Sequence, residues 1–370
     1  MIYLIATCIS LAFAMLIKNK NKTCLTREGM FCYFDMAKPI DMILIFGSAM
    51  PMFLVAALRY GVGTDYFYTY VPQFEMVVNG ESVYYEKGFW LLNKLIAEFT
   101  DNPQIFIAFI ALLFTALVYG ALYKIADNIP MSIVLFVLSY SYFISLNNIR
   151  QSLASAILIW SLYYVIEGKD IKAFVSIIIA GLIHQASFIF LVFLVLKYFK
   201  FSARFLTVAS AGLLVILGGA SRLIIEILSK VPRLAKYYAE EEEALSGFLD
   251  KSISITFIFV NLCILIIFIY FELQYKNIKT PKWNLILWNQ FMILAICSLD
   301  GIAPATYRIV RIFSFAQFIY LPNIIEEYED NRTAKVILYI VLIVLFGALF
   351  IQNYVTGTEQ VFPYASIFSK

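Results

Sequence analysis

Apolar runs of membrane-spanning length recur from one end of this 370-residue chain to the other. A helix that crosses the hydrocarbon core of a bilayer needs about 20 mostly apolar residues. Unpaired backbone groups are too costly in lipid, so each run is predicted to be a helix, although many of its residues are β-branched or aromatic. The eleven runs are Met1–Ile17, Ile40–Leu58, Gln104–Tyr123, Met131–Leu146, Gln151–Ile166, Ile171–Leu196, Phe205–Ala220, Ser252–Phe271, Leu285–Leu299, Ile312–Ile325 and Val336–Gln352.

The composition excludes the water-soluble classes. Hydrophobic residues make up 62% of the chain and charged residues 14%, whereas a soluble domain is usually about 45–50% apolar. The net charge of +3 is spread thinly, which argues against nucleic acid as a partner. The five cysteines form no common zinc or disulfide pattern. The predicted fold is an all-α polytopic membrane protein of about 11–12 transmembrane or half-membrane helices, with residues 1–370 in a single integral membrane domain.

Basic residues set the predicted orientation. Cytoplasmic loops of membrane proteins carry an excess of Lys and Arg. The segment from Lys18 to Lys38 carries four lysines and one arginine beside only two acids, so it is placed in the cytoplasm and the N-terminus outside. By alternation, the loop that starts at Arg59 is then outside.

One apolar run leaves two topologies open. Ile171–Leu196 is long for a single span and carries His184 at its middle, so it is either one tilted helix or two half-helices that dip into the membrane and return. Counting all basic residues does not decide between them. We favour the half-helices because they put Lys197, Lys200 and Arg204 in the cytoplasm. The outer loops at 59–103 and 221–251 are then expected to frame the functional site.

On this topology most arginines lie on the outer face, whereas most lysines lie on the cytoplasmic side. A guanidinium is planar, carries five donors and suits bidentate recognition of phosphate or diphosphate, a role in which lysine does not replace it. The outer face is therefore predicted to hold an anion. The outer arginines are Arg59, Arg150, Arg222, Arg233, Arg308 and Arg311.

Two motifs place an arginine at the end of a span. In Arg59–Tyr66, which reads RYGVGTDY, two glycines permit a tight non-helical turn. In Asn147–Gln151 no acid lies near Arg150 in the sequence, and an unpaired guanidinium in lipid costs several kcal/mol, so a bound anion is a natural partner. The alternatives are a plain solvated turn for the first motif and an interface anchor for the second.

Two further motifs carry ionisable groups. Ile183–Ser187 contains His184, the one histidine of the chain, which is either a hydrogen-bonded packing residue or a functional group at membrane depth. A lone histidine without a cysteine cluster makes no metal site, so a metal-independent site is expected. Tyr307–Arg311 places Arg308 and Arg311 at the start of a late span.

The stretch Gly80–Thr100 is too short to span a membrane. Its second half has Leu92, Ile96 and Phe99 on one side of a helix, so we predict an interfacial amphipathic helix beside the outer mouth of the protein. Glu86, just before it, is a candidate second acid. Simple surface amphipathicity is the alternative.

Taken in order, these stretches resemble the EpsG and Wzy type of bacterial polysaccharide polymerases, over about Leu58 to Phe368. The chain carries two arginines, Arg308 and Arg311, where the family pattern has a single late one. The motifs that carry the resemblance are RYGVGTDY at Arg59–Tyr66, Tyr85–Phe89, NIRQ at Asn148–Gln151, IHQAS at Ile183–Ser187, Arg308 before an aromatic span, and Pro363–Tyr364 in the tail.

The resemblance implies glycosyl transfer between lipid-linked oligosaccharides at the outer face of the bacterial plasma membrane, in a fold similar to the membrane-embedded GT-C glycosyltransferases. The donor would be a glycan on undecaprenyl diphosphate, and the acceptor the non-reducing end of a lipid-linked repeat unit. No cofactor and no metal are expected. The expected partners are the undecaprenyl diphosphate-linked oligosaccharide, membrane lipid, and a chain-length regulator and flippase of the same pathway.

The resemblance also assigns roles to the candidate residues. Fixed positive charge stabilises the diphosphate as it leaves, and a general base near the attacking hydroxyl contributes about 10² to 10⁴-fold. His184 is the first choice of base. The diphosphate-binding candidates are Arg59, Arg150, Arg308 and Arg311, the base candidates are His184, Asp65 and Glu86, and the substrate-binding candidates are Tyr66, Tyr70 and Gln151.

Three other functions compete with this one. A transporter or lipid-oligosaccharide flippase would need an anion-lined path and often shows inverted repeats, and no repeat is visible here. A membrane acyltransferase would suit a lone histidine, but no His-Asp motif follows His184. A ligase that passes the finished glycan to another acceptor shares the arginine argument, and the sequence separates it poorly from a polymerase.

Overall fold

The computed structural model describes residues 1–17, 39–230, 253–275, 280–303 and 306–369, without the side chains of residues 221, 222, 228 and 229. The basic loop 18–38, most of the predicted outer loop 221–251 and Arg233 therefore lie outside the described residues, as does the side chain of Arg222. The start of that loop is corrected, because residues 221–229 continue the preceding helix.

The described residues are almost entirely helical, and their β-type pairing is one isolated antiparallel bridge, between Arg59 and Ser366. A π-helical turn at Tyr66–Tyr70 precedes α3, and a 3₁₀ segment at Gln185–Val192 precedes α10. The helices are α1 (Ile2–Met15), α2 (Pro39–Ala57), α3 (Val71–Val78), α4 (Lys87–Ala97), α5 (Pro103–Ile125), α6 (Ile129–Leu138), α7 (Ser141–Asn147), α8 (Ile149–Ile166), α9 (Asp170–Ile183), α10 (Phe193–Leu196), α11 (Ala203–Ser229), α12 (Ile255–Gln274), α13 (Pro281–Cys297), α14 (Thr306–Ser314), α15 (Gln317–Tyr328) and α16 (Arg332–Val355).

Each of the eleven predicted runs overlaps a helix. Among the described residues, seven helical stretches are long and apolar enough to cross a bilayer, and the bent pair α6–α7 raises the number to as many as eight. Two shorter apolar helices are Ile2–Met15 and Gln185–Leu196. The prediction of an all-α polytopic membrane protein is confirmed.

Capping side chains mark where several of these helices begin. Asn102 accepts a hydrogen bond from the Gln104 amide before α5, at 2.9 Å, and Asn128 accepts one from the Met131 amide before α6, at 3.1 Å. Thr280 caps α13 in the same way through the Trp283 amide, at 3.1 Å. An oxygen at this position satisfies a backbone donor that the first turn leaves unpaired.

The chain divides into two compact units, the first formed by Met1–Ala156 and Phe318–Lys370 and the second by Ile157–Gln317. The prediction of a single integral membrane domain stays a prediction. The first unit has a polar side-chain cluster inside its helices, where Ser10 lies 3.0 Å from Ser48 and 2.7 Å from the Tyr119 hydroxyl. These bonds satisfy buried hydroxyls where α1, α2 and α5 meet.

Hydrogen bonds show which loops of the first unit meet. Asn323 donates to the Ile125 carbonyl, at 2.7 Å, and Asn128 donates to Glu326, at 2.9 Å, so the loop after α5 meets the end of α15. Asn147, at the end of α7, donates to Glu359 in the tail after α16. If Ile171–Leu196 dips into the membrane and returns, the alternation of spans places the members of each of these pairs on the same side of the membrane. The observed contacts agree with that topology.

The second unit shows directly that Ile171–Leu196 turns back. Lys197 forms an ion pair with Asp170, although 27 residues separate them; a continuous helix of that length would hold them about 40 Å apart. The reversal occurs at His184, whose extended backbone separates α9 from the 3₁₀ segment. At Gly181, a Cβ atom would lie 2.4 Å from the Phe188 ring. The half-helix prediction is therefore confirmed.

A buried amide cluster joins α12, α13 and the first residue of α15 within the second unit. Gln290 donates to Oδ1 of Asn261, at 2.9 Å, and Gln317 donates to the same atom, at 2.8 Å. Gln317 also donates to Oε1 of Gln290, at 2.7 Å. Amide networks of this kind hold transmembrane helices together where lipid supplies no hydrophobic driving force.

Candidate functional site

The turn after α2 is held by the C-terminal tail and by α5. The Tyr60 amide donates to the Ala365 carbonyl, at 3.0 Å, and the Ile367 amide donates to the Leu58 carbonyl, at the same distance. Gln104, in the first turn of α5, donates to the Ala57 carbonyl, at 2.7 Å, and to the Arg59 carbonyl, at 3.2 Å. The backbone of the RYGVGTDY motif is therefore fixed on two sides.

Arg59 is buried, with only 2% of the residue exposed. Its Nη1 donates to the Ala56 carbonyl, at 2.5 Å, and its Nε has no hydrogen-bond partner. Burial lowers the pKa of this guanidinium, and the strongest opposing influences come from the phenols of Tyr142 and Tyr66. The alternative of a plain solvated turn is thus wrong, because Arg59 is buried. Arg59 is a buried cation among tyrosines, and its role in holding diphosphate stays a prediction.

The second glycine of the motif makes room for Asn147. Gly63 has φ +88°, and a Cβ atom there would lie 2.8 Å from Oδ1 of Asn147. That same oxygen accepts a hydrogen bond from the Asp65 amide, at 2.8 Å, and one from the Thr64 hydroxyl, at 3.3 Å. The amide of Asn147 thus sets the backbone of the turn that carries Asp65.

Glu359 completes this arrangement from the far end of the sequence. Its Oε2 accepts hydrogen bonds from the side-chain amides of Asn147 and, at 2.6 Å, Asn148. Glu359 lies outside the motifs that the sequence pattern singled out. One feature of the sequence could have indicated this contact. The tail follows the last span, and the alternation of spans across the membrane places it at the same end of the first unit as Asn147.

Arg150, in the first turn of α8, is held by the stretch that precedes and begins α4. Its Nη1 lies 2.8 Å from Oε2 of Glu86, and its guanidinium carbon lies 5.0 Å from the centre of the Tyr85 ring. The sequence shows no acid near Arg150, and the structure supplies one from 64 residues away. The Arg150 and Glu86 side chains keep 25% and 18% of their surface exposed, and Nε of Arg150 has no hydrogen-bond partner.

Tyr70 links the two halves of this cluster. Burial raises its pKa to about 12, the charge of Asp65 acts in the same direction, and Arg150 opposes both. The Tyr70 phenol is therefore neutral at physiological pH and interacts with both charged groups. We name the set formed by Asp65, Tyr70, Glu86, Asn147, Arg150 and Glu359 the arginine cluster.

The other substrate-binding candidates flank the arginine cluster. Tyr66 donates through its hydroxyl to Oε1 of Gln104, at 2.5 Å, and burial is the main cause that raises its pKa to about 12. Gln151 follows Arg150 and is buried, with 5% of the residue exposed. Tyr66 therefore braces the turn against α5.

A helix is present in this stretch as α4, but its buried face differs from the predicted one, because Phe99 lies beyond its end and is 89% exposed. Its interfacial position stays a prediction. Phe89, Asn93 and Ile96 are buried on one of its faces, whereas Leu91 and Leu95 are exposed on another. Lys94 lies 5.4 Å from the centre of the Trp90 ring. The helix thus holds the segment with Tyr85 and Glu86 in place through its buried face.

The remaining candidates belong to the second unit. His184 is buried at the break between α9 and the 3₁₀ segment, and its carbonyl accepts a hydrogen bond from the Ser187 amide, at 2.9 Å. The guanidinium carbons of Arg308 and Arg311 lie 5.6 and 5.3 Å from the centre of the Tyr307 ring. Both late arginines thus share one aromatic partner, and Nε of Arg308 also donates to the Tyr307 hydroxyl, at 3.0 Å.

Comparison with known proteins identifies a family for most of the chain. The model of the EpsG family matches residues 42–366, a range that contains every member of the arginine cluster as well as His184, Arg308 and Arg311. No curated protein and no solved structure matches the chain. The predicted similarity to the GT-C fold therefore stays a prediction.

Proposed function

Since this chain belongs to the EpsG family, a family of polysaccharide polymerases, we propose that it transfers a growing glycan from undecaprenyl diphosphate to the non-reducing end of a lipid-linked repeat unit. The acceptor hydroxyl attacks the anomeric carbon of the donor chain. The bond between that carbon and the diphosphate oxygen breaks, the polyprenyl diphosphate leaves, and the hydroxyl proton passes to a base. The enzyme is a glycosyltransferase that works without a metal ion.

The single observation that carries this proposal is the placement of Arg150. Its guanidinium stands at the beginning of a membrane span, is partly exposed and is fixed by the ion pair with Glu86. A fixed, partly exposed cation suits the charge that develops on a departing diphosphate. The N-terminus of α8 adds the favourable end of a helix dipole.

Asp65 is the base candidate that the arrangement favours within the first unit. Glu86 is already engaged in the ion pair with Arg150. Asp65 acts electrostatically on Tyr70, and so does Arg150, so an acceptor hydroxyl near this tyrosine would be within the influence of both. His184, in the second unit, is retained as the alternative base.

We place the arginine cluster at the outer face of the bacterial plasma membrane. Lys124 and Lys335 belong to the opposite end of the first unit, where Lys335 forms an ion pair with Glu326, at 2.8 Å. Basic residues in short loops are retained in the cytoplasm. The opposite end, with Arg150 and the tail, then faces outward, where the repeat units arrive.

Reconstitution tests the proposed function. Purified protein in proteoliposomes receives its own undecaprenyl diphosphate-linked repeat unit without added metal, and the products are separated by size. We expect a ladder of extended products from the wild type, strongly reduced in Arg150→Ala. Arg332→Ala is the matched control, because Arg332 is exposed at the opposite end of the first unit, and it is expected to give a normal ladder.

Three outcomes would contradict the proposal. Transfer of the repeat unit across the bilayer without extension would make the protein a flippase. Transfer of the glycan to a different acceptor, without polymerisation, would make it a ligase. A ladder that persists in Arg150→Ala would remove Arg150 from the site.

A further inference from the structure

We infer that Glu359, in the C-terminal tail, is a positioning residue of the arginine cluster, an inference that rests on the proposed function. Its carboxylate accepts hydrogen bonds from Asn147 and Asn148, the two residues that end α7 and precede α8. Arg150 follows two residues later. The tail therefore fixes the junction from which the diphosphate-binding side chain emerges.

A second path runs from Glu359 to the turn with Asp65. Asn147 uses its amide nitrogen for Glu359 and its amide oxygen for the Asp65 backbone. An amide whose two ends are both bonded keeps one orientation. One carboxylate thereby sets both the Asp65 turn and the start of α8, the two elements that carry the proposed base and the proposed anion-binding cation.

The backbone of the tail is shaped for this contact. Gly357, Glu359 and Gln360 all have positive φ, at 66°, 66° and 49°. Such values are uncommon for residues other than glycine and persist where the surrounding structure holds them. The Gln360 carbonyl accepts from the Gly63 amide, at 3.3 Å, so the same bend binds the turn through its backbone as well.

Reversing the donor and the acceptor of the hydrogen bond between Asn147 and Glu359 tests this inference. Asn147→Asp places a carboxylate against Glu359 and removes the donated hydrogen bond, while an oxygen remains for the Asp65 amide. We expect kcat for chain extension to fall about tenfold to 100-fold. Adding Glu359→Gln restores the bond in the reverse direction, because the glutamine amide donates to the new aspartate, and kcat is expected to return to within about threefold of the wild type.

The single variants separate positioning from proton transfer. The carbonyl of Glu359→Gln still accepts from both asparagines, so it is expected to retain at least about a third of the wild-type kcat, whereas Glu359→Ala loses about tenfold or more. Glu81→Gln, an exposed carboxylate change in the predicted outer loop 59–103, is the matched control. Equal inactivation by Gln and Ala would make Glu359 a proton-transfer group and overturn the inference.

Hydrogen exchange decides the question independently of activity. In nanodiscs, the Gly63 and Asp65 amides are expected to exchange about tenfold faster in Glu359→Ala and Asn147→Asp than in the wild type, because their acceptors are no longer held. Unchanged exchange would overturn the inference even if a product ladder forms. Faster exchange with no ladder from the wild type would instead refute the proposed function and leave the role of Glu359 in the fold intact.

Discussion

Nη1 of Arg150 lies 2.8 Å from Oε2 of Glu86, and the ring of Tyr85 lies against the same guanidinium. An arginine at the start of a membrane span is therefore held by an acid and an aromatic residue from a loop 64 residues earlier. The pair is partly exposed, so its first consequence is for orientation, because surface ion pairs contribute little to stability.

Glu86 is expected to orient Arg150. Glu86→Gln keeps the shape of the side chain but removes the charge, so Arg150 is held less firmly, and kcat for chain extension should fall about threefold to tenfold. Rates of extension in proteoliposomes, with Glu81→Gln as the control, measure the effect. A loss of about 10² to 10⁴-fold would instead identify Glu86 as the general base.

Arg150 should not be replaceable by lysine. An ammonium group cannot bind Glu86 and a phosphate oxygen through a rigid planar fork, so Arg150→Lys is expected to lose about as much activity as Arg150→Ala. The comparison is made with Arg332→Lys, a surface change at the other end of the first unit. Near-normal extension by Arg150→Lys would show that only a positive charge is required.

Tyr85 is expected to act through its ring. Its hydroxyl is buried without a hydrogen-bond partner, and removing such a group is neutral or stabilising. Tyr85→Phe should therefore unfold at the wild-type temperature or slightly above it, with normal extension, whereas Tyr85→Leu loses the cation–π contact with Arg150. Thermal unfolding in detergent and extension rates measure both variants. Loss of extension in Tyr85→Phe would show that the hydroxyl contacts substrate.

Alanine substitution at two glycines with positive φ distinguishes the effect of backbone strain from that of steric contact. Gly63 and Gly80 have φ +88° and +76°, but only Gly63 would place a Cβ atom against a neighbour, Oδ1 of Asn147. Gly80→Ala is expected to lower the free energy of unfolding by about 1–2 kcal/mol. Gly63→Ala should lower it further and also reduce extension. Equal effects in calorimetry and activity would mean that Asn147 does not restrain the turn.

The reversal at His184 predicts the sidedness of two positions. Cysteines introduced at Asp170 and Lys197 should react with an impermeant thiol reagent from the same side of the membrane, because these side chains form an ion pair. Native cysteines are replaced by serine for this measurement, and the order of addition of reagent to sealed vesicles reports the side. Labelling from opposite sides would restore the single tilted helix.

Local signals were sufficient to predict the long apolar helices of this protein, but not the short helix α3 or the bend between α6 and α7. Apolar length marks a span whatever the rest of the chain does, because lipid forces each segment to satisfy its own backbone. That rule located Pro103–Ile125 and Arg332–Val355 to within a few residues. It also marked the run around His184 as too long and too polar at its centre for one span, and the chain does reverse there.

The site could be predicted only in part. The sequence indicated Arg150, Glu86 and Asp65 as separate candidates, because glycines and charges at the ends of spans are visible locally. It did not show that Glu86 pairs with Arg150, that Arg59 is buried, or that Glu359 reaches Asn147. Which charged and polar side chains contact one another depends on how the helices pack. The residues next to each of them in the sequence do not determine that packing.

The sequence by itself therefore determined the membrane-spanning class and the positions of the spans, since a span is recognised by its hydrophobicity over about 20 residues. It also determined the candidate charges, which are the ionisable residues at or near the ends of those spans. Tertiary structure alone decided the partners within that set. Glu359 lies 212 residues from Asn147 in the chain, and their contact exists because alternating spans return the tail to the end of the first unit where α8 begins. The two side chains form a hydrogen bond because the packing of the helices brings them together.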